Sequence, residues 1–140
     1  MRIRGITPED AGTWSELRGD LWPGEDHRPE VDAFFRGELS EPLEVRVAED
    51  DSGTVVGFVE LSIRSEVPGT SSARVGFIEG LYVVPAHRGK GVTRMLLASA
   101  REWAYERRCE AFASDRADRF IVDRGFRRRD RSEGRRTMVG

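Results

Sequence analysis

The chain has 140 residues, 38% hydrophobic and 34% charged, with 15 glycines, a single cysteine and a formal net charge of -2. That length makes one domain with room for a buried core, and the composition excludes disordered, collagen-like and disulfide-stapled classes. No apolar run approaches the roughly 20 residues of a membrane span and "MRIRGITPED" has no apolar core of a secretion signal, so a cytoplasmic protein without a membrane partner is expected.

Taken in chain order, "RIRGI" alternates and reads as a short strand. "TPED" follows with Thr7 as a helix cap, Pro8 at the first helical position and Asp10 in the first turn. The first helix carries Trp14, Leu17 and Leu21 on one side and stops at Pro23 and Gly24. A second, shorter helix is expected from Pro29 to about Leu39. "LEVRVAED" and "TVVGFVELSIR" are β-branched runs joined by "DSG", a hairpin signal. "EVPGTSS" is a loop and "ARVGFIEGLYVVP" the next strand. A glycine turn then opens a long helix with Val92, Met95, Leu96, Ser99 or Ala100, and Trp103 along one side. "CEAFAS" reads as a strand and "ADRFIVD" as a short helical piece. The order β-α-α-β-β-β-α-β-α, with a last strand left open after Gly125, predicts an α/β domain over residues 1–140, a mixed sheet with helices on both faces.

Charge is unevenly distributed along this order. Asp20 to Glu60 holds twelve acidic residues and three arginines, whereas Arg101 to Arg136 holds twelve arginines and eight acids. An acidic lip would attract a cationic small molecule, and a solvated face would look the same in sequence. The small net charge gives no reason to expect nucleic acid as a partner.

The turn itself is the most informative stretch. In "LYVVPAHRGKGVTRMLL" a strand passes through Arg88, Gly89, Lys90 and Gly91 into a helix. Such a turn aims backbone N–H groups and the positive helix end at one point, where glycines let a phosphate approach. The spacing is neither that of a Walker loop nor that of a dinucleotide fingerprint. A tight turn with a helix cap is the alternative reading.

The same run resembles the acyl-CoA signature of the GNAT family of N-acetyltransferases, a strand followed by [RQ]xxGx[GA], with Arg88, Gly91 and Thr93 on those positions. Thr93 stands where Gly or Ala is usual. "ADRFIVDRGF" is similar to the family's AxxLYxxxGF segment through Ala117, Phe120, Gly125 and Phe126. Ile121 occupies the Tyr position, which in many members is the general acid toward the leaving thiolate. "LRGDLWPG", "VGFVELSIR", "FIEGLYVVPAHRGKGV" and "CEAFASD" together resemble the aminoglycoside 6'-N-acetyltransferases of that family.

The resemblance implies the GNAT fold, acetyl-CoA as co-substrate, a small cationic amine, an aminoglycoside, as acceptor, and no metal. It places Trp22, Glu79, Asp115 and Asp130 on the acceptor, with Glu79 and Asp115 as the catalytic carboxylates. Leu81, Tyr82, Val83, Arg88, Gly89, Lys90, Gly91, Val92, Thr93 and Arg94 fall on acetyl-CoA. It also leaves open a homodimer through the last strand. Plain structural readings stand beside these: an ion-pair partner for Glu79, a helix cap for Asp115, a core plug for Trp22 and a surface ion pair for Asp130. His27 and His87, without ligand-spaced partners, read as solvated side chains, and Cys109 as a small buried hydrophobe.

Overall fold

The structure is a computed structural model and describes residues 1–116, 119–123 and 126. Six strands form one mixed sheet in the order β1-β2-β3-β4-β5-β6: Arg2–Gly5, Glu44–Glu49, Val55–Arg64, Val75–Val83, Ala111–Arg116 and Arg119–Val122. All neighbouring pairs are antiparallel except β4 with β5. That exception follows from the long helix between them, since parallel strands need a crossover.

Helices α1 (Ala11–Leu21) and α2 (Arg28–Phe35) cover one face, and α3 (Val92–Glu106) covers the other. Alternation along the strands supplies both interfaces. On β2, Val45 and Val47 join Trp14, Leu17 and Val31, while Ala48 joins Leu96, Ala100 and Trp103 under α3. The start of α1 is tied down by charge: the Asp10 carboxylate accepts from the Thr7 N–H at 2.8 Å and from two Arg4 nitrogens at 2.8 and 3.0 Å. Those bonds hold its pKa below the ordinary carboxylate value, the Arg4 bond being the largest cause.

Five expectations are corrected. Within "ADRFIVD" the residues Arg119–Val122 form a strand and not a helix, paired antiparallel with β5, in keeping with the strand preference of aromatic and β-branched residue types. Pro8–Asp10 is a 3-10 turn preceding α1, and α2 ends at Phe35, before Gly37 with φ 72°. Met95 is exposed, unlike Leu96 and Trp103 beside it. His27 is buried, its Nε2 lying 2.8 Å from the carbonyl oxygen of Trp22. Among the described residues no helix is long and apolar enough to cross a membrane.

Candidate functional site

A cavity on the α1 face and an unpaired edge of β4 meet at one irregularity in that strand. Glu60 pairs with Gly80 but Leu61 pairs with Ile78, so Glu79 is the extra residue of a β-bulge. The same point ends the pairing of β4 with β5, whose last partners are Ile78 and Ser114. Beyond it, among the described residues, β4 keeps no ladder partner on that side, and this unpaired edge is the cleft. The Val84 N–H donates to the Val56 carbonyl at 2.9 Å. Antiparallel bonds alternate, so the amides of Tyr82 and Gly80 turn toward β3 and those of Leu81 and Val83 turn into the cleft. Tyr82 therefore differs from its neighbours: its amide belongs to the sheet, and its ring packs on the α1 face.

The cleft runs down to the glycine turn. Gly89 and Gly91 have φ of 76° and 85°, left-handed values that a Cβ disfavours, and Gly91 is the N-cap of α3. Arg88 braces the turn, with Nε donating to the Val83 carbonyl at 2.8 Å and its guanidinium 5.4 Å from the Tyr82 ring. Lys90, Thr93 and Arg94 are exposed around it, whereas the Val92 side chain is core and only its backbone faces outward. Amides of a first helical turn with two nearby cations make a seat for an anion.

On the α1 face lies a cavity of about 360 Å3, lined by Arg18, Trp22, Glu25, His27, Glu30, Glu41, Pro42, Glu60 and Glu79. Five glutamates against one arginine make it strongly attractive to a polycation. Trp22 is the wall nearest the bulge: a Cβ placed on Gly80 would lie 2.6 Å from its ring, so only glycine permits this approach. The Glu79 carboxylate accepts from Ser62 Oγ and from Arg64 Nε and Nη2 at 2.9 and 2.7 Å. The ion-pair reading of Glu79 thus holds alongside its place in the cavity.

Glu60 is 1% exposed, within 3.0 Å of Arg18 Nε, and accepts from Trp14 Nε1 at 3.0 Å. Burial pushes its pKa above the ordinary glutamate value, against the opposing pull of Arg18. Sequence reasoning missed Glu60, Arg18 and His27. The available signal was an acid at an inward-facing position of the apolar run "TVVGFVELSIR".

The structure thus brings Trp22 and Glu79 to one cavity and sets Leu81 and Val83 beside it. Asp115 lies inside β5 past the last β4 pair, its backbone paired with Phe120. Asp130 lies outside the described residues. Among the described residues no cluster of His, Cys, Asp and Glu could hold a metal ion.

The acetyltransferase (GNAT) family model matches residues 12–126. An aminoglycoside N(6')-acetyltransferase type 1 of Klebsiella aerogenes is 38% identical over 81% of this chain and 76% of its own length. One of Stenotrophomonas maltophilia is 40% identical over 81% and 73%. Among solved structures, the apo aminoglycoside 6'-N-acetyltransferase AAC(6')-IG of Acinetobacter haemolyticus superposes with a TM-score of 0.73 at 36% identity, covering 84% of this chain and 80% of that one. AAC(6')-Iy in complex with the bisubstrate analogue CoA-S-monomethyl-acetylneamine gives 0.74 at 32% identity, covering 83% and 79%. The chain belongs to the GNAT family of acetyltransferases.

Proposed function

We propose that this protein transfers the acetyl group of acetyl-CoA to the 6'-amine of an aminoglycoside by direct attack in a ternary complex. The observation that carries the reading is the five-glutamate cavity opening at the bulge where β4 leaves β5. An aminoglycoside is a polycation, and a polyacidic, half-open pocket beside an open strand edge suits both substrates. The relatives named above carry the same activity in their names.

In this reading each residue has a role. The amides of Leu81 and Val83 accept the extended pantetheine arm as an added strand, and one of them faces the thioester oxygen as charge develops there. The amides from Gly89 to Arg94, with Arg88, Lys90 and Arg94 around them, take the pyrophosphate. Trp22, Glu79 and Asp115 orient the acceptor, with Asp130 as a further acidic contact. Glu79 and Asp115 draw in the ammonium and pass its proton out through water, since an ordinary carboxylate is a weak direct base near neutral pH. Ile121 offers no phenol, so solvent protonates the leaving thiolate. No step needs a metal. The co-substrate is an intracellular metabolite, and on that ground we place the protein in the cytoplasm. A homodimer is tested by sedimentation, where a species at the mass of one chain excludes it.

The deciding assay is free-thiol release from acetyl-CoA in the presence of kanamycin, tobramycin, polyamines or peptides. Kanamycin and tobramycin are expected to turn over, with Glu79→Gln and Asp115→Asn each slowed at least about tenfold. An aminoglycoside with hydroxyl in place of the 6'-amine is expected to be inert. Thiol release with a peptide or polyamine and none with aminoglycosides would refute the acceptor assignment.

A further inference from the structure

We propose that the buried Arg18–Glu60 ion pair is the positioning element of the acceptor site, setting where Trp22 and Glu30 stand around the cavity. The inference rests on the acetyltransferase reading and deepens it, since neither residue takes part in the transfer described above. Arg18 and Glu60 are 7% and 1% exposed. Burying two charges seldom stabilises a fold more than an apolar pair of the same volume, so stability does not explain why they lie under the cavity.

The contacts explain it. Arg18 Nε lies 3.0 Å from Glu60 Oε2, and Nη1 donates to Glu30 Oε2 at 3.0 Å. The same guanidinium lies 5.1 Å from the Trp22 ring centroid and 5.7 Å from that of Trp14. Trp14 Nε1 donates to the Glu60 oxygen that faces Arg18. Trp22 then rests its outer edge on Gly80, and Gly80 is the cross-strand partner of Glu60. Glu60, Arg18, Trp22 and Gly80 form a closed circuit of contacts, so Trp22 cannot move relative to the bulge unless Arg18 moves. A planar guanidinium can stack on an indole while bridging two carboxylates; a lysine ammonium cannot.

The test removes one cation and one anion together. Arg18→Met with Glu60→Leu leaves the net charge of the cavity unchanged, so electrostatic attraction for a polycation is held constant. The expected result is a folded protein whose acetyl-CoA dissociation constant stays within about twofold while the aminoglycoside KM rises at least about tenfold. Acrylamide quenching assigned to Trp22, by difference from the Trp22→Phe counterpart, is expected to increase. Arg18→Lys, which preserves charge and keeps Glu60 paired, is expected to raise the same KM and serves where the double variant does not fold. A folded double variant, or an Arg18→Lys protein, with wild-type aminoglycoside KM and wild-type Trp22 quenching overturns the proposal. If the wild-type protein acetylates no 6'-amino aminoglycoside, the acceptor assignment fails, and Trp22 quenching alone decides the positioning role.

Discussion

Replacing Gly80 by alanine adds one methyl group at the junction of the two substrate sites. The new Cβ would lie 2.6 Å from Trp22 Cη2 and 3.0 Å from Cζ2. Carbon atoms rest at about 3.5 to 4.0 Å, so the indole edge must retreat by about 1 Å. Both atoms are at the far end of the side chain, which can swing without moving backbone, and the stability cost should stay near 1 to 2 kcal/mol, roughly a few degrees in melting temperature. The functional cost should be larger in proportion. A displacement of about 1 Å near the reacting centre can cost up to about a hundredfold, and we expect kcat/KM for the aminoglycoside to fall about 10- to 100-fold. The acetyl-CoA KM should not change, because Gly80 turns its amide toward β3 and away from the cleft. Thiol-release kinetics at varied concentrations of each substrate separate the two effects. Trp22→Phe removes the clashing atoms, so in a double-mutant cycle the second substitution should recover about 1 kcal/mol of stability in the Gly80→Ala background. A folded Gly80→Ala enzyme with unchanged aminoglycoside kcat/KM, or no coupling in the cycle, would refute the argument that Trp22 against Gly80 shapes the acceptor wall.

Arg64→Gln removes the cation that engages both Glu79 oxygens, so polycation binding should tighten several-fold, with a steeper salt dependence by titration calorimetry; weaker binding would mean that Arg64 instead orients Glu79. Gly91→Ala places a Cβ at φ 85° and should cost about 1 kcal/mol, raising the acetyl-CoA KM in steady-state kinetics and leaving the aminoglycoside KM unchanged. Asp10 has a lowered pKa in the folded state, so its stabilisation is present above the ordinary value of 3.8 and is lost as pH falls through the folded value. Thermal melts should accordingly show wild type ahead of Asp10→Asn at neutral pH, with the gap closing toward pH 2; a gap independent of pH would contradict the linkage.

The coenzyme side was legible because its signals are local. Two glycines at a strand-to-helix junction, a basic pair and a helical apolar stripe lie within one short segment, and backbone conformation alone builds that part of the site. The acceptor side was legible only in fragments, because its residues come from α1, α2, β3 and β4 and meet through tertiary packing. His27 sits between Asp26 and Arg28 and reads as solvated; the Trp22 carbonyl captures it. Glu60 and Arg18 are 42 positions apart in the chain, and no periodicity links them. "ADRFIVD" is short enough to suit either period, and the free edge of β5 decides it as a strand.

The bulge at Glu79 also constrains which length changes this chain can tolerate. Before it, Gly76 and Ile78 face α3; after it, Leu81 and Val83 do, so the inserted residue reverses the parity of the strand. Deleting Glu79 would straighten the ladder and leave both faces as they are, because Leu61 already pairs with Ile78 and Glu60 with Gly80. Ile78, Leu81 and Val83 would stay on the α3 face and Gly80 and Tyr82 on the other. Substitutions at position 79 test the carboxylate alone, whereas a one-codon deletion there removes the carboxylate and the bulge together and keeps the core pattern of β4.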